Sequence, residues 1–222
     1  MGIRFSRSRS LSRFMLLLGA LLLSAGANAQ LVINEIDYDQ VLTDNAEFLE
    51  LKNVGASAVT LSDYRIELVN GGNNTTYNPF VLPGTSLAPG DYFVICGNAS
   101  TTINCDLDVT PNTDLIQNGA PDGVRIVRIA DSATIDGIAY EGSMACCTEG
   151  TPLPAGPSDD NTTPNFGYSR FPDGADSNDN LADVSLRCIS PGTANVAAST
   201  ACPTPSATVN LSISDASVTE GN

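Results

Sequence analysis

The sequence predicts an all-β sandwich, on three observations. Short runs rich in β-branched and aromatic residues recur along the chain, Gly/Pro/Asn clusters separate them, and no segment past the leader carries sustained helical periodicity with caps. Many short strands joined by such turns argue for a sandwich or a barrel, and the sandwich is the expectation adopted here.

The elements follow in chain order. Arg4, Arg7, Arg9 and Arg13 form a basic leader, an apolar run covers 14–23, and Ala27-Asn28-Ala29 is an A-x-A cleavage site before Gln30. That run is half the roughly twenty residues a membrane helix needs, so 1–29 is read as a cleaved Sec signal and not as an anchor. No other stretch is long and apolar enough to span a bilayer. The expectation is therefore a secreted or cell-surface chain that is soluble after processing. Strands are then expected at 31–37, 47–52, 64–69, 91–96, 124–129 and 134–140. In the second of these, Phe48, Glu50 and Lys52 face one way, and Leu49 and Leu51 the other. Turn chemistry sits between them at Asn70-Gly71-Gly72-Asn73, Pro83-Gly84, Pro89-Gly90, Asn118-Gly119 and Pro121-Asp122-Gly123. The segment 149–183 carries Pro152, Pro154, Pro157, Pro164 and Pro172 among many Asp and Asn residues, and reads as a long Pro/Asp-rich loop or irregular cap. A main domain is expected over 30–195, a linker over 196–208, and a lone strand pattern in 209–222 that needs partners further on.

Charge and cysteines narrow the chemistry. Four of the ten basic residues lie in the leader, which leaves six against twenty-five acidic residues and a formal charge of −19. Such a chain repels phosphate backbones, which argues against direct nucleic-acid binding and favours divalent cations or basic surfaces as partners. Cys96, Cys105, Cys146, Cys147, Cys188 and Cys202 make an even count, which in an exported protein points to disulfides. Cys96 and Cys105 are close enough to clip a hairpin or short loop, and a bridge from Cys146 or Cys147 to Cys188 is the second expectation. With no C-x-x-C pair and no His, a zinc site is not indicated.

The ordered pieces of the chain resemble a known family. Leu31-Val32-Ile33-Asn34-Glu35-Ile36 followed by Ala46-Glu47-Phe48-Leu49-Glu50-Leu51-Lys52-Asn53 is similar to the opening of lamin tail domains. Leu61-Ser62-Asp63-Tyr64-Arg65-Ile66 and 87–95 resemble its next strands, 122–140 its final hairpin, and Ser190-Pro191-Gly192-Thr193-Ala194-Asn195 its closing stretch. The resemblance implies an immunoglobulin-like β-sandwich, a fold found in nuclear lamins and in many exported bacterial proteins. The cysteines and the Asp-rich loop suit an exported bacterial member, and Tyr64 stands where many relatives carry a larger ring. The segment 209–222 resembles the first strand of a Calx-β domain, a family that often binds calcium.

Catalytic signals are weak. The lack of His removes Ser-His-Asp and Cys-His arrangements, and Lys52, the sole lysine, lies in a plain strand alternation. Glu35, Asp37, Asp39, Glu47 and Glu50 crowd the first two strands. A carboxylate pair can hydrolyse a glycoside, but here they are expected to be strand-face and edge residues, and no catalytic residue is nominated. The oxygen-rich run 173–183 suits a hard cation, so calcium is the one cofactor considered, on Asp173, Asp176, Asp179 and Asp183. Counted from Asp176 the run fails the EF-hand pattern, with Leu181 at the glycine position and Arg187 at the final glutamate. The function expected is a non-catalytic interaction module of a larger extracellular or surface protein, with a protein or cell-surface component as partner. The alternative is an accessory domain ahead of a secreted nuclease- or phosphatase-type hydrolase, since relatives are also found attached to such enzymes.

Overall fold

The computed structural model describes residues 1–2, 30–156, 158–160, 162–197 and 201–206. The expected leader beyond residue 2 and the Calx-β-like strand in 209–222 lie outside the described residues. In chain order the strands are β1 (Leu31–Asp37), β2 (Phe48–Asn53), β3 (Val59–Thr60), β4 (Tyr64–Asn70), β5 (Thr75–Val81), β6 (Ser86–Leu87), β7 (Tyr92–Cys96), β8 (Leu107–Asp108), β9 (Asp122–Arg128), β10 (Thr134–Tyr140), β11 (Phe166–Arg170) and β12 (Val184–Cys188). A 3-10 turn at Leu61–Asp63 leads into β4, and one helical turn, α1 (Asn180–Asp183), precedes β12.

Two sheets face each other. One has the order β12-β11-β1-β2-β7-β8, the other β10-β9-β4-β5, with β3 and β6 as a small separate pair. The pairings are antiparallel except for β7 with β8. Leu31, Ile33, Ile36, Leu49, Leu51 and Ile95 of the first sheet pack with Ile66, Leu68, Val124, Ile126 and Ile138 of the second as one buried core. This is the all-β, immunoglobulin-like sandwich that the sequence predicts. Tyr38, Tyr140 and Tyr168 close one end of the core, Tyr38 stacking on Tyr140 with ring centroids 4.2 Å apart. Their burial is tolerated because Tyr38 Oη donates to Glu141 at 2.8 Å and Tyr140 Oη to the Gln117 carbonyl at 2.6 Å.

Alternation decides which residues meet this core. In β2, Leu49 and Leu51 point inward as expected, while Phe48 joins a separate cluster with Val94 and Cys96. In β1 the register shifts between Ile33 and Glu35, a bulge that puts Asn34 and Glu35 together on the outer side and returns Ile36 to the core.

Two expectations are corrected. The 149–183 segment is not all loop: β11 and α1 lie inside it. The β9–β10 hairpin is not the last, because β11 pairs with β1 and β12 extends that sheet. The segment 75–81, for which the sequence raised no expectation, is a strand despite Pro79, since β5 lies at a sheet edge where a missing N–H breaks no ladder.

Candidate functional site

The outer face of the six-stranded sheet is covered by the segments around β12, and three carboxylate clusters lie beneath or beside that cover. The first gathers the pieces that carry the family resemblance. Glu35 and Glu50 oppose each other on β1 and β2, and neither is exposed. Glu35 accepts from Ser169 Oγ at 2.8 Å and from the Ser190 backbone N–H at 3.0 Å. Glu50 accepts from Asn34 Nδ2 at 2.7 Å and from the Gly192 backbone N–H at 2.6 Å. Asn195 Nδ2 donates to the carbonyls of Asn34 and Arg170, both at 3.0 Å. The closing stretch 190–195 is thus pinned onto two facing glutamates. Burial pushes Glu35 up to about 7 and Glu50 well above the usual range. Beside them Asp173 pairs with Lys52 and accepts from Tyr92 Oη at 2.6 Å. Burial alone raises Asp173, but the bonds from Lys52, Tyr92 and Asn34 outweigh it and hold the carboxyl below the usual value.

The second cluster surrounds a guanidinium. Arg170 is wholly buried, donating from Nε to the Ile33 carbonyl at 2.8 Å, from Nη2 to Asp136 at 2.7 Å and from Nη1 to the Ala175 carbonyl at 2.9 Å. Asp183 and Asp176 lie 3.4 and 3.5 Å from Nη1, and Glu149 3.9 Å from Nη2. Oxygens of Asp136, Glu149 and Asp176 fall within 4.8 Å of one another, close enough for a metal, but Arg170 already supplies the positive charge there. Burial and the facing Asp136 raise Glu149 to about 8.

The third cluster lies where β1 ends. Asp37 and Asp159 are each 2 % exposed. Gln40 Nε2 donates to Asp37 at 2.7 Å, and the Tyr38 N–H donates to Asp159 Oδ2 at 3.0 Å. Asp44 accepts from the Gln40 N–H at 2.9 Å. Nearby, Glu47 accepts from the Leu115 and Ile116 N–H groups, tying the loop before β9 to β2, and burial raises it to about 9.

The four aspartates proposed from sequence as calcium ligands are divided by this arrangement. Asp173 belongs to the first cluster and Asp176 to the second. Asp183 faces Arg170 and accepts from Ser177 N and Oγ at 2.7 and 2.8 Å. Asp179 caps α1 through the Ala182 N–H at 3.2 Å and accepts from Thr151 Oγ1 at 2.9 Å. The expectation that the β1–β2 carboxylates are strand-face and edge residues is also corrected: Glu35, Asp37, Glu47 and Glu50 are buried, on or beside strands in the middle of their sheet. Arg170, Asp136 and Asp159 are the organising residues that sequence reasoning passed over. A rare cation in an acid-rich chain is the one signal that would have found Arg170.

The disulfides are Cys96–Cys105, Cys146–Cys147 and Cys188–Cys202. The first matches the expected clip, whereas a bridge from Cys146 or Cys147 to Cys188 does not form, because Cys202 returns to the end of β12. The basic side chains are equally committed. Lys52 pairs with Asp173, Arg65 and Arg125 with Glu67, Arg128 with Asp131 and Arg170 with Asp136, while Arg187 stacks on Phe171 at 4.1 Å. No helix among the described residues is long and apolar enough to cross a membrane.

Two facing β-sheets, tied to each other by a shared core and by buried polar contacts, define an immunoglobulin-like domain. Residues 24–142 match the Lamin Tail Domain family, and the chain belongs to that family, which is immunoglobulin-like and non-enzymatic. No curated protein matches the sequence.

Proposed function

We propose that this chain is an exported, non-catalytic lamin tail module of bacterial type, and that it serves a larger extracellular or cell-surface protein by binding a protein or surface component through its loops. The observation that carries this is the commitment of all six basic side chains past the leader to internal ion pairs or to a ring, with an acidic surplus of nineteen charges left over. A surface of that kind suits basic or cation-bridged partners and offers no groove for a phosphate backbone. The leader motif and three disulfides support an oxidising compartment. On this reading 30–195 is the module, 196–208 a linker, and 209–222 the start of a Calx-β-like domain whose resemblance supports continuation into a longer protein.

Expression of the full chain in a bacterial host tests the proposal. Recovery outside the inner membrane, with Gln30 as first residue and six oxidised cysteines by mass spectrometry, supports it. Retention of the unprocessed chain in the cytoplasm with free thiols overturns it.

A further inference from the structure

The three disulfides differ in the length of chain they enclose. Cys96–Cys105 and Cys188–Cys202 are separated by 9 and 14 positions, whereas Cys146 and Cys147 are neighbours. A disulfide stabilises a fold mainly by restricting the unfolded chain, and the effect grows with the enclosed loop. By linkage, the fold protects each bond against reduction by as much as that bond stabilises the fold. A bond between neighbours encloses no intervening residue, so it receives the least protection of the three. The seat built for it is nevertheless specific. Cys147 is 2 % exposed and packs with Val69, Ala139 and Met144, while Cys146 is only partly buried. Gly123 and Gly137 leave the room: a Cβ on Gly123 would stand 3.1 Å from Cys147 Sγ, and one on Gly137 3.0 Å from Cys147 Cα. The Cys147 and Thr148 N–H groups both donate to the Met144 carbonyl, at 3.2 and 3.0 Å, so the pair sits in a tight turn. That turn also holds α1. The Glu149 N–H donates to Asn180 Oδ1 at 3.0 Å, the Asn180 N–H to the Glu149 carbonyl at 2.9 Å, and Asn180 Nδ2 to the Gly137 carbonyl at 3.0 Å. Asn180 opens α1, and Asp183 at its end faces Arg170.

We propose that the Cys146–Cys147 bond is a redox switch, opened by an external dithiol before either of the other disulfides, and that its opening loosens α1 from the wall of the sandwich. The less buried sulfur is the point of attack. A thiolate of the dithiol attacks Cys146 Sγ, and the Cys147 sulfur leaves with the bonding electron pair and takes up a proton. The second thiolate then attacks the reductant's own sulfur in the mixed disulfide, which frees Cys146 as a second thiol. Two electrons and two protons pass to the protein, and the dithiol becomes a disulfide. Two unbonded sulfurs need more room than a bonded pair, and the close-packed niche over Gly123 and Gly137 has none to give. The 144–149 turn is the side that moves, since the other side is the paired β9–β10 hairpin. Glu149 moves with the turn, and Asn180 loses the partner that holds the start of α1 in place.

The test uses the full processed chain as isolated in air. Samples are equilibrated in mixtures of reduced and oxidised dithiothreitol, quenched with an alkylating reagent and mapped by mass spectrometry. Cys146 and Cys147 are expected to take label at a reduced-to-oxidised ratio about tenfold lower than the other four cysteines, the factor that the difference in loop length alone supplies. At that ratio amide hydrogen exchange is expected to rise about tenfold or more in 144–151 and 179–184 and to stay unchanged in β1 and β2, and reoxidation restores it. The double variant Cys146→Ser, Cys147→Ser is expected to show the raised exchange in air, with no further response at that ratio. The order of labelling in the wild type decides the matter even where that variant does not fold. Opening of Cys96–Cys105 or Cys188–Cys202 at the same or a lower ratio overturns the proposal, as does opening of the pair with no rise in exchange at 179–184. Recovery of Cys146 and Cys147 as free thiols, or bridged to other cysteines, overturns it too.

Discussion

Arg170 shows how a single residue can organise the interior of an acidic protein. Its guanidinium joins β11 to the Ile33 carbonyl on β1 and to Asp136 on β10, so it ties the two sheets together. Asp136 in turn accepts from the Ile33 N–H at 2.5 Å. Removing one member of a buried ion pair leaves the other charge without compensation, so Arg170→Met is expected to cost about 3–5 kcal/mol in urea unfolding, although it preserves most of the side-chain volume. Arg128→Met, whose partner Asp131 is solvent-exposed, is expected to leave the urea midpoint nearly unchanged. The scarcity of basic residues in an acid-rich chain was the sole hint of Arg170 in the sequence, because an arginine among aspartates otherwise reads the same on the surface and at the centre of a cluster. Glu50 was half legible. Its alternation with Leu49 and Leu51 gave the correct face, but its burial depends on residues 190–195 folding over that face, which no local pattern reports.

At the scale of elements, what could be read was what repeats locally. β1, β2, β4, β7, β9 and β10 carry apolar alternation bounded by Gly, Pro and Asn turns, and each falls within a few residues of its expected position. β5 was hidden by its polar, Pro-bearing sequence, and β11 by proline-rich flanks, since an edge position and distant pairing with β1 are tertiary facts. The β9–β10 hairpin also has a demand that sequence alone does not explain. Gly123 and Gly137 lie on its paired strands, and the chain at Cys147 packs directly on both. A Cβ on Gly137 would meet the Cys147 carbonyl oxygen at 2.8 Å, and one on Gly123 the Cys147 Cβ at 3.0 Å. The glycines make a niche for the Cys146–Cys147 segment, which packs there with Val69, Ala139 and Met144. Gly137→Ala is therefore expected to destabilise by about 1–3 kcal/mol through forced displacement of backbone. Gly84→Ala, where the added methyl meets nothing, is expected to be neutral or slightly stabilising in the same unfolding measurement.

Taken as a whole, the molecule stores excess protons. Burial raises Glu35 to about 7, Glu149 to about 8 and Glu47 to about 9, and it raises Asp37, Glu50 and Asp159 as well. A carboxyl whose folded pKa exceeds its unfolded one binds protons more tightly in the native state. Its contribution is complete below the unfolded value of about 4 and is lost as pH rises through the folded value. Glu67 and Asp173 act in the opposite sense, since their folded values are lowered and their contribution is lost in acid. In cation-free buffer, Tm should therefore peak near about pH 5 and fall steadily toward pH 9, at the acid end of the usual range. A thermal melt series across that interval checks it, and a Tm that climbs toward pH 8 would contradict it.

The path of the chain through the first sheet has a mechanical consequence. β1 and β12 flank β11 and run in the same direction, so the polypeptide enters this part of the sheet at Leu31 and leaves it at Cys188, at the opposite end. Tension between those two points pulls the strands lengthwise past one another, which loads the hydrogen bonds of the β1–β11 and β11–β12 ladders together and does not unzip them singly. The Cys188–Cys202 bond then sends the load straight from residue 202 into β12. Residues 190–195, whose backbone holds Glu35 and Glu50 in place, lie in the slack of that covalent loop, so the polar closure of the sandwich carries no tension while the ladders do.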